Sequence, residues 1–158
     1  MRQNGTEPSH TNPLTVLLAD DDADDRHFFD RILKTLPLQT RLSTVEDGEA
    51  LMKYLSENSG NLPDVLFLDL NMPKKNGMEC LAEIKLNAKL KHLPVVIYST
   101  HMHEKDAGLL YKEGAHYYIR KTDIIELTKV LHRLLNKMIV NKFARPSKDK
   151  FILSMNKI

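Results

Sequence analysis

Four short runs of apolar and aromatic residues, Leu14–Ala19, Val65–Leu68, Val95–Tyr98 and His116–Arg120, each stop on or next to a polar side chain. Unbroken runs of this length are what strands buried on both faces require. A weaker, alternating run over Leu38–Val45 reads as a fifth strand. Between the runs, apolar residues return every three or four positions. They do so at Phe28, Phe29, Ile32, Leu33 and Leu36, then at Ala50, Leu51, Tyr54 and Leu55. Helical segments are also predicted over about 78–90, about 104–112, and from an N-cap at Asp123 to about Met138. Pro37, Asn58-Ser-Gly60 and Gly114 punctuate them. Parallel strands need a crossover, and a crossover helix covers a face of the sheet. Five strands alternating with five helices therefore predict a parallel sheet with helices on both sides.

The rest of the chain fits one soluble domain. Its 158 residues suffice for a real core, and 42% apolar with 28% charged residues is a globular composition. A net charge of +2 gives no global attraction to nucleic acid or membrane surfaces. No apolar stretch approaches the ~18 residues of a membrane span. Residues 1–13 read as a polar, flexible leader without a signal-peptide core. Residues 14–140 form the domain, and 141–158 a basic tail with five basic residues and one acidic. The single cysteine, Cys80, cannot form an internal disulfide and reads as an inert buried thiol, which suits a reducing cytoplasm.

Ligands of open α/β sheets bind beyond the carboxyl ends of the strands. The first strand delivers Asp20 and Asp21 there, the third Asp69, the fourth Ser99 and Thr100, and the fifth Lys121. Two carboxylates 5 Å apart repel by roughly 3 kcal/mol at an effective dielectric near 20. Three must take up protons or hold a cation, and a hard divalent ion such as Mg²⁺ suits them. Beside a hydroxyl and an ammonium, such a group makes a receptacle for phosphoryl oxygens, with one aspartate as nucleophile. The neighbouring Asp22, Asp24 and Asp25 are assigned to the start of the first helix, where negative charge is favoured.

Taken in order, LLADD, LFLDLNMPKKNG, PVVIYST and YYIRK resemble the receiver domain of two-component response regulators, over about Leu14 to Met138. The resemblance implies a flavodoxin-like, doubly wound five-stranded parallel sheet of order 2-1-3-4-5 with five helices. It implies that Asp69 is the phosphoacceptor, carrying a 4-aspartylphosphate, and that Asp20, Asp21, Asp69 and the backbone carbonyl of Asn71 hold Mg²⁺. Ser99 stands at the family's hydroxyl position, and Lys121 at that of the lysine that contacts the phosphoryl group. Tyr118 occupies the aromatic switch position, expected to turn inward when Ser99 moves toward the phosphate. His101 and Asn71 lie two residues beyond Ser99 and Asp69, where side chains tune phosphate lifetime.

The EIK helix and LPVVIYST strand look closest to small stand-alone regulators associated with bacterial phytochromes. The implied donor is a sensor histidine kinase, a phytochrome among the candidates, or a histidine phosphotransfer protein. No separate enzyme activity is implied beyond self-phosphorylation and autodephosphorylation. The family usually has a cis proline after the lysine. Here Thr122 follows, and a cis bond without proline costs about 2.5–4 kcal/mol, so a trans peptide is expected.

Two other functions compete. An aspartate-nucleophile phosphatase would need a second acid two residues after Asp69, where Asn71 cannot serve as general acid. A pseudo-receiver, acting only as an interaction module, is opposed by the intact set Asp20, Asp21, Asp69, Ser99 and Lys121. His101 and His103 have metal-ligand types but no third partner. The last helix carries Ile124, Ile125, Leu127, Val130, Leu131, Leu134, Leu135 and Met138. That stripe reads either as deep packing or, with the fourth helix, as a dimer or partner surface. The tail is either a solvated appendage or docks through Phe151, Ile152 and Leu153.

Overall fold

A computed structural model describes residues 12–100, 104–140 and 144–154. The elements run β1 (Leu14–Ala19), α1 (Ala23–Thr35), β2 (Thr40–Val45), α2 (Gly48–Glu57), β3 (Val65–Leu68), α3 (Gly77–Leu86), β4 (Val95–Ser99), α4 (Glu104–Glu113), β5 (Tyr117–Arg120), α5 (Ile124–Ile139) and β6 (Ile152–Leu153). Acidic and amide side chains set the helix starts. Asp22 caps α1 by accepting from the amides of Asp24 and Asp25. Asp47 does the same for α2, Asn76 forms a capping box with Glu79 at α3, and Asp123 caps α5. Each satisfies N–H groups that the first helical turn leaves without partners.

The sheet order is β2-β1-β3-β4-β5-β6, with every pairing parallel. The expected 2-1-3-4-5 order is present, and a sixth strand extends it. Successive side chains alternate between two cores. On one side of β3, Val65 and Phe67 pack with α1 and α5 through Phe29, Ile32, Leu131 and Leu135. On the other, Leu66 and Leu68 pack with α2, α3 and α4 through Leu51, Leu55, Leu81 and Leu110. Phe29 meets Phe67 and Tyr98 edge to face, with ring centroids 5.0 and 5.4 Å apart. The apolar stripe of α5 is divided: Leu127, Val130, Leu131, Leu134 and Leu135 are buried, whereas Ile124 and Ile125 are 42% and 66% exposed.

The tail docks. Phe151 is buried between α4 and β5, and Ile152 and Leu153 pair with Tyr118 and Ile119. The Tyr118 amide donates to the Phe151 carbonyl at 3.0 Å. Without β6 this edge of the sheet would present unpaired backbone groups beside apolar side chains, an arrangement that favours whatever strand is tethered nearby.

His116 enters β5 with its imidazole mostly buried. Burial, reinforced by Lys85 and Arg145, lowers it to about 4. In the unfolded chain the ring titrates near 6.5, so between those values the unfolded state binds more protons. Its contribution to stability is complete above pH 6.5 and is lost as the pH falls toward 4. In urea titrations, wild type should lose about 2 kcal/mol more than His116→Asn between pH 7 and pH 5. Equal losses would show that the imidazole does not govern this response.

Candidate functional site

β1 and β3 lie side by side, so their ends bring Asp20 and Asp69 together. The Asp69 amide donates to the Ala19 carbonyl at 3.0 Å, and the Asp20 amide to the Val45 carbonyl at 3.1 Å. Asp20 is fully buried and Asp69 nearly so, while Asp21 is exposed. These three carboxylates place oxygen atoms within 4.8 Å of one another. β5 adds Lys121, whose amide donates to the Ser99 carbonyl at 2.8 Å. Its Nζ lies 2.8 Å from Asp20 Oδ2, 2.9 Å from Asp25 Oδ2 and 3.6 Å from Asp69 Oδ2. It also stands 5.1 Å from the centre of the Tyr98 ring. β4 supplies Ser99, 1% exposed, which shares a side-chain hydrogen bond with Tyr118.

The loop after β3 fixes the Asp69 backbone. The Gly77 amide donates to the Leu70 carbonyl at 2.9 Å. A Cβ on Gly77 would overlap the Asp69 carbonyl oxygen, and one on Gly48 would overlap the Lys75 carbonyl oxygen. Lys74, between them, adopts a left-handed conformation (φ 69°) and lies 3.6 Å from Asp47. Lys75 pairs with Glu83. The Asn71 amide donates to Asp69 Oδ1 at 3.3 Å, orienting the carboxylate from its own loop.

The electrostatics follow from burial. Desolvation pushes the Asp69 carboxyl up to about 6, against the pull of Lys121 and with help from Asp20. Desolvation likewise raises Asp20, although Lys121 opposes it. Burial alone would lower Lys121, but its contacts with Asp20 and Asp25 outweigh this and hold the ammonium above its ordinary range. Near neutral pH the site therefore presents an ionised Asp69 beside a permanent cation.

The donor chemistry fits a hard divalent ion. All the converging groups are carboxylate oxygens, and Asp20 Oδ2 is buried without hydrogen-bond geometry to any donor. Lys121 Nζ lies 2.8 Å from it, and a carboxylate oxygen so placed can also face a divalent cation.

Asp20, Asp21, Asp69, Ser99 and Lys121 thus converge as the sequence predicts, with Asn71 on the adjoining loop. Thr100 is exposed. Asp22 is the expected cap; Asp25, expected only as a favourable charge at the start of α1, also reaches the site through Lys121 at 2.9 Å. Tyr118 differs too. It does so only in its surroundings: the ring is fully buried, and a residue of the tail, Phe151, lies 6.3 Å from it between ring centroids. His101 and His103 lie outside the described residues. No described peptide bond is cis, so Lys121–Thr122 is trans. Cys80 is fully buried, its thiol raised to about 11 by desolvation, and it donates weakly to the Gly48 carbonyl, as an inert thiol should. Among the described residues no helix is long and apolar enough to cross a membrane.

Comparison with known proteins agrees with this geometry. The model of the response regulator receiver domain family matches residues 16–132. Response regulator Rcp1 of Synechocystis sp. is 38% identical over 115 residues, which are 70% of this chain and 78% of that protein. The Mn²⁺-bound form of Rcp1 superposes with a TM-score of 0.71 at 32% identity, over 85% of this chain and all of that one. The phosphorylated cyanobacterial phytochrome response regulator RcpA gives 0.73 at 31% identity, over 86% of this chain and all of that one. A manganese-bound relative and the carboxylate cluster at Asp20, Asp21 and Asp69 point alike to a divalent-cation site.

Proposed function

The chain belongs to the response regulator receiver family, and from that premise we propose that Asp69 takes a phosphoryl group from the phosphohistidine of a sensor histidine kinase or histidine phosphotransfer protein. The observation that carries this is a buried carboxylate 3.6 Å from Lys121 and within 4.8 Å of two further carboxylates. An Asp69 oxygen attacks phosphorus and forms a P–O bond. The P–N bond to the donor imidazole breaks, and its electron pair stays on that ring, which is left neutral or takes a proton from solvent. Lys121 meets the phosphoryl oxygens from the β5 side, and the Ser99 hydroxyl donates to one of them. Held by Asp20, Asp21, Asp69 and the Asn71 carbonyl, Mg²⁺ would add positive charge where the phosphoryl oxygens carry negative charge.

The likeness to Rcp1 and RcpA supports a phytochrome-type kinase as the donor, met in the cytoplasm. A second copy is the proposed occupant of the α4 and α5 surfaces, where Leu109, Ile124 and Ile125 are exposed.

Incubation with a phosphorylated histidine kinase and Mg²⁺ should leave one hydroxylamine-labile phosphoryl group on the peptide containing Asp69. Mg²⁺ should also bind saturably in the absence of donor, and Asp21→Asn should weaken it on the order of tenfold by removing one charged ligand. Label on a serine would refute the phosphoacceptor assignment. Equal Mg²⁺ binding by both forms would remove Asp21 from the metal site.

A further inference from the structure

Lys121 is held by a carboxylate that stands outside the acidic cluster. Its ammonium carries three N–H donors and lies within hydrogen-bonding distance of two oxygens, Asp20 Oδ2 at 2.8 Å and Asp25 Oδ2 at 2.9 Å. Asp69 Oδ2, at 3.6 Å, is beyond that distance. The carboxylates that converge as a cation site are Asp20, Asp21 and Asp69, so Asp25 is not one of them. It comes from the first turn of α1, and that turn is fixed on several sides. The Asp25 amide donates to the Asp22 carboxylate at 3.3 Å, and the Arg26 guanidinium donates to the Asp20 carbonyl at 2.8 Å. One turn further on, Phe29 is fully buried and meets Tyr98 edge to face. Residues four apart share a helix face, so the anchored Phe29 ring sets Asp25 on the side of α1 that faces the site. Lys121 Nζ stands 5.1 Å from the centre of the same Tyr98 ring. Asp24, the residue before Asp25, is exposed, and the ion pairs of Lys121 run to Asp20, Asp25 and Asp69.

We propose that Asp25 is a positioning residue for phosphoryl transfer: with Asp20 it takes two of the three N–H donors of Lys121 and leaves the third for a phosphoryl oxygen on Asp69. The inference rests on Asp69 being the phosphoacceptor and deepens that reading. A phosphoryl group reaches one P–O bond beyond the carboxylate oxygen that carries it, so its oxygens enter the gap that separates Asp69 Oδ2 from Nζ. A lysine side chain is flexible, and holding it in place before the phosphoryl group arrives removes that ordering cost from the transfer. Asp20 does not suffice for this. It belongs to the cation cluster, and a bound divalent ion would share its carboxylate. Asp25 keeps its hold on Lys121 with the ion present or absent. The sign of the effect separates positioning from charge. Deleting a negative charge near a site that receives an anion strengthens anion binding, whereas loosening the ammonium weakens it.

Beryllium fluoride, a mimic of the phosphoryl group, would be titrated into the full chain at saturating Mg²⁺ and followed by its ¹⁹F signal. Asp25→Ala should bind it about tenfold more weakly than wild type, and Asp25→Asn, which keeps an oxygen acceptor, should lose less. Asp24→Ala removes the same charge from the same turn and should bind as tightly as wild type or more tightly. Mg²⁺ affinity without fluoride should be the same in Asp25→Ala as in Asp24→Ala. In a Lys121→Ala background, Asp25→Ala should no longer weaken fluoride binding, because its route of action is gone. Should Lys121→Ala fail to fold, the comparison of Asp25→Ala with Asp24→Ala still decides the matter. Fluoride binding by Asp25→Ala as tight as by Asp24→Ala would overturn the positioning role and leave the phosphoacceptor reading intact. So would a weakening that persists without Lys121, or a loss of Mg²⁺ affinity confined to Asp25→Ala, which would make Asp25 a cation ligand. Failure of wild type to bind the fluoride would overturn both readings.

Discussion

Asp69→Asn should abolish acyl phosphate formation while making the metal-free protein more stable at neutral pH. The first effect is chemical, because a neutral amide has no anionic oxygen with which to attack phosphorus. The second follows from the raised carboxyl, near 6 in the folded protein against about 3.9 unfolded. Between those values the folded state binds more protons, so stability falls as the pH rises through this window and the full cost is felt above pH 6. Removing the charge should return on the order of 3 kcal/mol, a figure that already contains the attraction to Lys121. Thermal denaturation at pH 5 and pH 7.5 without divalent ions checks the sign. The gain should be present at the higher pH and shrink at the lower. Phosphoryl label equal to wild type, or a variant less stable at pH 7.5, would contradict the nucleophile and the burial account respectively.

Lys121→Ala should have the opposite effect on stability. Its ammonium is the shared counter-charge for Asp20, Asp25 and Asp69, two of which are buried. Deleting one partner of a buried pair leaves charge uncompensated, at a cost of about 3–5 kcal/mol. Mg²⁺ should recover much of this loss, since it offers the same carboxylates another cation. Asp69 should remain phosphorylatable, but the response of Ser99 and Tyr118 should fail because the phosphoryl group loses the contact that fixes its position. Denaturation with and without Mg²⁺ tests the first claim. A wild-type spectral change on adding acetyl phosphate would disprove the second. Two substitutions within one site therefore shift stability in opposite directions, which generic damage to the fold would not produce.

Most of this site was legible in the sequence because each component ends a strand. Apolar runs locate the strands, parallel pairing brings their carboxyl ends together, and the first polar residue after each run then falls in one crevice. Asp20, Asp69, Ser99 and Lys121 all follow from that reasoning. Asp25 does not. It sits in the first turn of α1, where an acidic residue already has a local explanation, and its partner is 96 residues away. No local pattern shows that Lys121 needs a second counter-charge. β6 was half legible: Phe151, Ile152 and Leu153 stand out as residues that could dock, but two paired residues are too few to display an alternation, so neither the strand nor its place beside β5 can be read from the sequence. The α5 stripe was seen but not divided, because periodicity finds a helix face without showing where its cover ends.

Loops are ordinarily where a lineage gains and loses residues, since surface segments absorb added length at little cost. The connection between β3 and α3 is denied that freedom. Gly48 presses on Lys75 and Gly77 presses on Asp69, with no room for a single methyl group at either contact. An inserted residue would have to lift α2 or drag the nucleophile out of line. By contrast, a Cβ on Gly60, in the turn after α2, would meet nothing within 4 Å. Added length is therefore accepted far more readily in the turn at Gly60 than between β3 and α3, where the seven residues from Leu70 to Asn76 act as a spacer of fixed gauge.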